Sequence, residues 1–224
     1  MNLKILNELE RVIKTSPQTL RDPLKLRQLI QATFDITIMD TSGTLAELTD
    51  KIDEAVLRKY FGEIWQPKTK QFKYSGLNVV KEINDLKPRS VVDLGCGYNE
   101  FKTQIPNLIG VDPYNKHADI QLPILEYKPE KKFDVVVVLG SINFGSTDKI
   151  FAELEHAVSL CAEGGTMFFR VNPGVKHEPP ESEWIDFYHW DANFITNCAS
   201  YFKLQMLDMR NDSNDRMYFV WRRS

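Results

Sequence analysis

The residues with the clearest chemical potential are three acids and a glycine turn. Val91-Val92-Asp93-Leu94-Gly95-Cys96-Gly97-Tyr98-Asn99 is an apolar run that empties into two glycines. Small residues at such a turn let backbone approach a ligand closely, and unpaired amides at the start of a following helix can receive its polar groups. The same turn could also do no more than join a strand to a helix. Nineteen residues after Asp93, the run Ile109-Gly110-Val111 ends on Asp112-Pro113. A carboxylate at the end of a second strand can accept hydrogen bonds from both hydroxyls of a ribose. Asp119 and Ile120 follow in Ala118-Asp119-Ile120-Gln121-Leu122-Pro123, and Phe133-Asp134-Val135-Val136-Val137-Val138-Leu139 runs into Gly140-Ser141-Ile142-Asn143. Four valines in a row are first of all sheet core, so the chemistry of that run lies after them, beyond the carboxyl end of the strand.

These groups need parallel strands that end side by side. From about Lys73 onward, short apolar runs alternate with helical stretches, the pattern of alternating β and α units. Residues 90–94, 108–111, 118–120, 135–139 and 166–171 read as five successive strands. Ile150, Leu154, Ala157, Val158 and Cys161 form one apolar helical face, stopped by Gly164-Gly165. Asp191 can cap a helix carrying Phe194, Ile195, Cys198 and Phe202. Residues 204–209 and 217–221 then read as a hairpin around Asn211-Asp212-Ser213-Asn214. Residues 1–72 carry a helical pattern instead. Ile5, Leu9, Val12 and Ile13 precede the breaker Ser16-Pro17, Leu24 to Ile30 suggests a second helix, and Thr44-x-x-Glu47 is a capping box for a third ending near Gly62.

The ordered set of segments resembles the class I S-adenosylmethionine-dependent methyltransferases over about Tyr74 to Ser224. Asp93-Leu94-Gly95-Cys96-Gly97 is similar to their Asp/Glu-x-Gly-x-Gly turn, which cradles the methionine part of the cofactor. The resemblance implies cofactor contacts from Asp93, Gly95, Cys96, Gly97 and Asn99, ribose contacts from Asp112 with Pro113, and adenine contacts from Asp119 and Ile120. It implies further contacts from Leu139, Gly140 and Ser141, and it matches Ala162 to Thr166 to the glycine-containing turn before strand five. The implied fold is α/β: a Rossmann-like, seven-stranded, mostly parallel sheet with a C-terminal antiparallel hairpin (residues 73–224) and an N-terminal helical cap (residues 1–72) over the acceptor side. The implied reaction is methyl transfer to an oxygen or nitrogen acceptor of unknown identity, with S-adenosylhomocysteine as product. The phrase Gly140 to Gly145 also resembles compact methyltransferases of tailed bacteriophages, which implies a host cytoplasm.

Two departures qualify the match. Asn99 stands where the fuller glycine motif has a third small residue, and it tolerates left-handed backbone better than most residues but adds bulk. The Asp/Asn-Pro-Pro-aromatic motif of amino-methylating members is absent, and Gly140-Ser141-Ile142-Asn143-Phe144 takes its place. Methylation of a base exocyclic amine is therefore disfavoured. No catalytic residue is assigned, because an activated sulfonium donor needs little beyond alignment. His177 and Glu178, or Tyr98 and Asn143, are the candidate bases.

Hydrophobic residues make up 42% and charged residues 26% of the 224, values of an ordinary globular chain. A net charge of -3 disfavours a surface built to neutralise bare duplex nucleic acid, without excluding a local basic patch. No apolar run approaches the roughly 20 residues of a membrane span, and the start lacks a signal-peptide core, so a cytoplasmic protein is expected. The three cysteines and four histidines show no metal-ligand spacing, and no metal is predicted. The aromatic stretches 60–65 and 184–190 could wall an acceptor pocket or simply pack, and Lys68, Lys70 and Lys73 could meet a phosphate or face solvent. Two alternatives stay open. One is a non-catalytic cofactor-binding interaction protein. The other is an NAD-dependent oxidoreductase, against which Glu100 stands where a dinucleotide fingerprint has its third glycine.

Overall fold

The computed structural model describes residues 1–65, 76–173, 180–212 and 215–224. Lys68, Lys70, Lys73, His177, Glu178, Ser213 and Asn214 lie outside the described residues. The chain divides into two compact units.

The first unit gathers residues 1–65 and 180–187. Helix α1 (Leu3–Thr15) is capped by Asn2, whose side chain accepts from the amides of Lys4 and Ile5, and it buries Ile5 and Leu9. Asp22 caps α2 (Pro23–Phe34), with proline at its first position and Leu26, Ile30 and Phe34 one above another on the buried side. The capping box forms as read: Thr44 and Glu47 bond reciprocally at the start of α3 (Leu45–Lys59), whose Leu48, Ile52 and Val56 are buried. The helix continues through a π turn at Tyr60–Ile64. Segment 180–187 is fastened to these helices by polar and aromatic contacts. Asn2 Nδ2 donates to Trp184 O at 2.8 Å, Lys4 Nζ to Ile185 O at 3.0 Å, and Trp184 packs edge-on against Phe34.

The second unit is built on a sheet. Among the described residues it has six strands: β1 (Val91–Leu94), β2 (Leu108–Val111), β3 (Phe133–Leu139), β4 (Cys161–Val171), β5 (Leu204–Asn211) and β6 (Met217–Arg223). Their order is β2-β1-β3-β4-β6-β5. The first four are parallel, and β6 enters antiparallel between β4 and β5. Strand side chains alternate between two cores. On one face Val92, Leu94, Val136, Val138, Phe169 and Trp221 pack with α5 (Thr147–Leu160) and α6 (Ala192–Tyr201). On the other, Val91, Val135, Val137, Phe168 and Val220 meet Val79 and Ile83 of α4 (Leu77–Asp85). Each such fully buried Val, Leu or Ile contributes about 1.5–3 kcal/mol over exposure. Glu82 adds a polar tie from α4 to the hairpin, accepting from Tyr218 Oη at 2.9 Å and Arg210 Nη2 at 2.5 Å.

Two expectations are corrected. The sheet has six strands rather than seven, because Ala118-Asp119-Ile120 makes a single bridge, Ile120 to Val111. The amides of Asp119 and Ile120 both turn to Gly110 O, and the chain leaves at Pro123 into a 3-10 turn (Ile124–Glu126), so too few residues run beside β2 to form a ladder. The second correction concerns Gly164-Gly165. α5 ends at Leu160, before them, and they sit inside β4, where the register with β3 shifts between Phe133/Cys161 and Val135/Thr166. Gly164 has φ +72°, and a Cβ on Gly165 would press on Cys161 Sγ and two backbone oxygens, so the pair makes a bulge rather than a helix stop. Among the described residues, no helix is long and apolar enough to cross a membrane.

Candidate functional site

β1, β2 and β3 reach their carboxyl ends together. Asp93 is in register with Gly110 and Val137, and Leu94 with Val111. Burial changes along that line. Leu94, Val111 and Val138 are buried, whereas Gly95, Cys96, Gly97, Tyr98, Pro113, Leu139, Gly140 and Ser141 are half-buried. A half-buried rim, mostly of small residues, therefore tops a closed sheet.

Gly95 has φ +80°, and a Cβ there would run into the Cβ of Ser141. Ser141 Oγ donates to Leu94 O. Glycine is needed at Gly95 both for the backbone and to let this cross-strand staple between the ends of β1 and β3 close. Gly140 has φ +98° with only Asn143 Nδ2 near a built Cβ, at 3.9 Å, so its requirement is conformational.

The turn differs from the sequence expectation in one chemically important respect. Four of its amides are paired: Gly95 and Cys96 donate to Val111 O at 2.7 and 3.1 Å, Gly97 to Asp112 Oδ2 at 3.0 Å, and Asn99 to Cys96 O at 2.9 Å. Nor does the turn open a full helix. Asn99 adopts the left-handed conformation, φ +56°, and a four-residue 3-10 helix follows, Glu100–Thr103. Pro106 disfavours helical backbone at Ile105 and prevents extension.

What the turn does present is acid. Asp93 is buried in β1, and burial, reinforced by the negative charge of Asp112, pushes its carboxyl up to about 7. Asp112 is buried at the end of β2, where Oδ1 accepts from the amides of Tyr114 and Asn115 at 2.8 Å each and Oδ2 from Gly97. One acceptor position on Oδ2 remains. Asp119 lies at the β2 edge. Burial opposes its charge, but the Gly110 amide (2.8 Å), Lys102 Nζ (2.9 Å) and Asn99 Nδ2 (3.3 Å), all on Oδ2, outweigh that and hold it below the usual range. Asn99 packs against Gly110, where any Cβ would strike its amide, and its buried Oδ1 has no hydrogen-bond partner. Burial, then the charges of Asp93, Asp112 and Asp119, push the Cys96 thiol up, so it stays protonated and is no nucleophile.

The structure thus brings Asp93, Gly95, Cys96, Gly97, Asn99, Asp112 and Pro113 together around β1 and β2, with Asp119 and Ile120 on the outer edge of β2. It sets Leu139, Gly140 and Ser141 across the turn at the end of β3. Asn143 is occupied as a strut: Nδ2 donates to Gly140 O at 3.0 Å, and Oδ1 accepts the Asn172 amide at 3.1 Å. Trp190 Nε1 donates to the neighbouring Ile142 O at 3.1 Å. With one end of its amide on the turn after β3 and the other on the end of β4, Asn143 has no role left as a base. Tyr98 stacks loosely toward His117, with ring centroids 5.7 Å apart. Of the aromatic stretches, Trp184 packs in the helical unit and Trp190 in the sheet core against Tyr188, Phe194 and Phe219. Sequence reasoning passed over Arg170 as part of an apolar strand. A lone charge between Phe169 and Val171 was the available signal.

No family model and no curated protein matches the chain. Solved structures do. The 1,6-didemethyltoxoflavin-N1-methyltransferase of Burkholderia thailandensis, with bound 1,6-didemethyltoxoflavin and S-adenosylhomocysteine, is 14% identical with a TM-score of 0.62, covering 84% of this chain and 95% of that one. The magnesium protoporphyrin IX methyltransferase of Synechocystis PCC 6803, with bound S-adenosylmethionine, is 12% identical with a TM-score of 0.60, covering 83% and 100%. An O-methyltransferase family protein of Burkholderia thailandensis is 16% identical with a TM-score of 0.57, covering 90% and 71%. At these identities the likeness establishes the fold, which is the α/β methyltransferase fold with a mixed sheet and an antiparallel C-terminal hairpin.

Proposed function

We propose that the chain transfers the methyl group of S-adenosylmethionine to an oxygen or nitrogen acceptor and releases S-adenosylhomocysteine. The observation that carries this reading is the chemistry of the turn, which offers carboxylates and has already engaged the amides of Gly95, Cys96, Gly97 and Asn99. Such a site suits a ligand that brings hydroxyl and amino donors and positive charge, as this cofactor does. It repels a pyrophosphate, which needs free amides and no adjacent acid, and so the oxidoreductase reading is disfavoured. The fold neighbours, two of them described with S-adenosylmethionine or S-adenosylhomocysteine bound, support the same choice.

The residues present fit the group. The open acceptor position of Asp112, flanked by Pro113, suits a ribose hydroxyl. Asp119 Oδ1, together with Ile120, suits the adenine amine and ring. Asp93 with Gly95, Cys96, Gly97 and Asn99 suits the methionine end, and Leu139, Gly140 and Ser141 complete the rim. When bound, the cofactor supplies a methyl group already activated on a sulfonium. The chain's part is to hold donor and acceptor in line, which needs no dedicated base. A cytoplasmic location is read from the free cysteines and balanced charge, and a bacteriophage origin rests on the Gly140 to Gly145 phrase alone.

Asp112→Ala tests the site. Losing a charged acceptor should weaken S-adenosylmethionine binding by about 10–100-fold. Because three backbone amides lose their partner, it should also lower the melting temperature. Calorimetry and a thermal scan read the two effects, and unchanged affinity would remove Asp112 from the cofactor site.

A further inference from the structure

Along the strand ends the charge changes sign. The acids stand at β1 and β2, whereas at β4 and β6, on the far side of Gly140, two arginines stand beside one carboxylate, Arg170 bonded to it through its guanidinium and Arg216 through its backbone amide. Arg170 is in register with Leu139 on β3 and Tyr218 on β6, and its side chain is only 11% exposed. Its Nε lies 2.5 Å from Asp212 Oδ2. Asp212 is fixed by the backbone of the β5–β6 connection: Oδ1 accepts the Arg216 amide at 3.0 Å, and its own amide donates to Arg216 O at 2.8 Å. That pairing holds the Arg216 backbone beside the same carboxylate, one residue before Met217 joins Val171.

Among the described residues the Arg216 guanidinium makes no ion pair, and Asp212 pairs with Arg170. Burial, then the charge of Arg170, pull Arg216 down to about 10 despite the opposing influence of Asp212. Among the described residues, two guanidiniums and one carboxylate leave one positive charge in excess in a half-buried place. Such a charge is costly to keep unless an anion meets it, and it is an ordinary mark of a ligand site.

We propose that Arg216 binds a carboxylate on the methyl acceptor, so that the substrates are small organic acids. This rests on the methyltransferase reading above. The excess is a single charge, which a carboxylate neutralises, whereas a phosphate monoester carries nearly two. The guanidinium fork matches a carboxylate with two parallel hydrogen bonds. The place is also right for an acceptor: Arg170 adjoins the end of β3, so the rim Leu139-Gly140-Ser141 stands between the acidic donor side and this basic one.

The test uses phenylglyoxal labelling of Arg216 in the intact chain, followed by peptide mass spectrometry, with benzoate, benzamide and inorganic phosphate as probes. Benzoate should slow labelling about fivefold or more and benzamide should not, because only the anion forms the charge-assisted pair. In parallel, Arg216→Gln should leave S-adenosylhomocysteine affinity within about twofold, since the acceptor charge lies apart from the donor acids. Labelling indifferent to benzoate, or protection by phosphate without benzoate, overturns the carboxylate assignment. A tenfold or greater loss of S-adenosylhomocysteine affinity in Arg216→Gln would place the arginine on the cofactor's own carboxylate and overturn it too. If the unaltered protein fails to bind S-adenosylhomocysteine, the methyltransferase reading falls. Benzoate protection would then stand as an acid-binding site without an acceptor role.

Discussion

Asp93→Asn should make the protein more stable at pH 8 and a poorer binder of S-adenosylmethionine, two effects of opposite sign from one side chain. Burial and the neighbouring Asp112 raise the Asp93 carboxyl from 3.8 to about 7. Between those values the folded state holds a proton that the unfolded state has released. Stability from this group is therefore complete below about 4 and is lost as pH rises through about 7. The difference between those two values corresponds to roughly 4 kcal/mol at most, and relaxation around a buried acid reduces that, so roughly 2–4 kcal/mol is expected at pH 8. Asparagine resembles the neutral acid and escapes the penalty, so the gain over the unaltered protein should vanish toward pH 4. A cationic ligand favours the ionised carboxylate. Cofactor affinity of the unaltered protein should consequently rise through pH 7, and in Asp93→Asn it should be weak and flat. Equal stability of the two proteins at pH 8 would show that Asp93 is not strained by ionisation.

Gly95→Ala should cost about 3 kcal/mol or more, combining a left-handed alanine with a Cβ forced onto Ser141. The loss has a distinguishable steric part. In Gly95→Ala/Ser141→Gly the colliding Cβ is gone, so the double variant should be less destabilised than the sum of the two single changes, each followed by urea unfolding. Strict additivity would mean that the staple between β1 and β3 does not close on Gly95 as described.

The parts legible in the sequence are those fixed by neighbours in the chain. The Thr44–Glu47 box, the Asp191 cap, the runs 90–94 and 108–111 and the terminal hairpin are set by local patterning and caps, and they form there with ends that differ by two residues or fewer. What could not be read depends on partners distant in sequence. Ala118-Asp119-Ile120 has strand-like composition, yet its hydrogen bonds converge on Gly110, and a ladder needs more residues than Pro123 allows. Gly164-Gly165 resembles a helix stop until β3 is laid beside it and a bulge is required. The turn at Gly95 looked rich in free amides because the carbonyl that takes two of them, Val111 O, is supplied by β2. Arg170 and Arg216 are 46 positions apart by their numbering, and only the insertion of β6 beside β4 unites them. Distances along the chain carry no sign of that pairing.

The central claim is that the acid-rich turn holds S-adenosylmethionine, and calorimetric titration of the purified protein with S-adenosylmethionine, S-adenosylhomocysteine and NAD under identical conditions tests it most directly. The account predicts saturable binding of the first two, with affinities on the micromolar scale (about -8 kcal/mol), and none of NAD. Binding of NAD alone, or of none of the three, would contradict it.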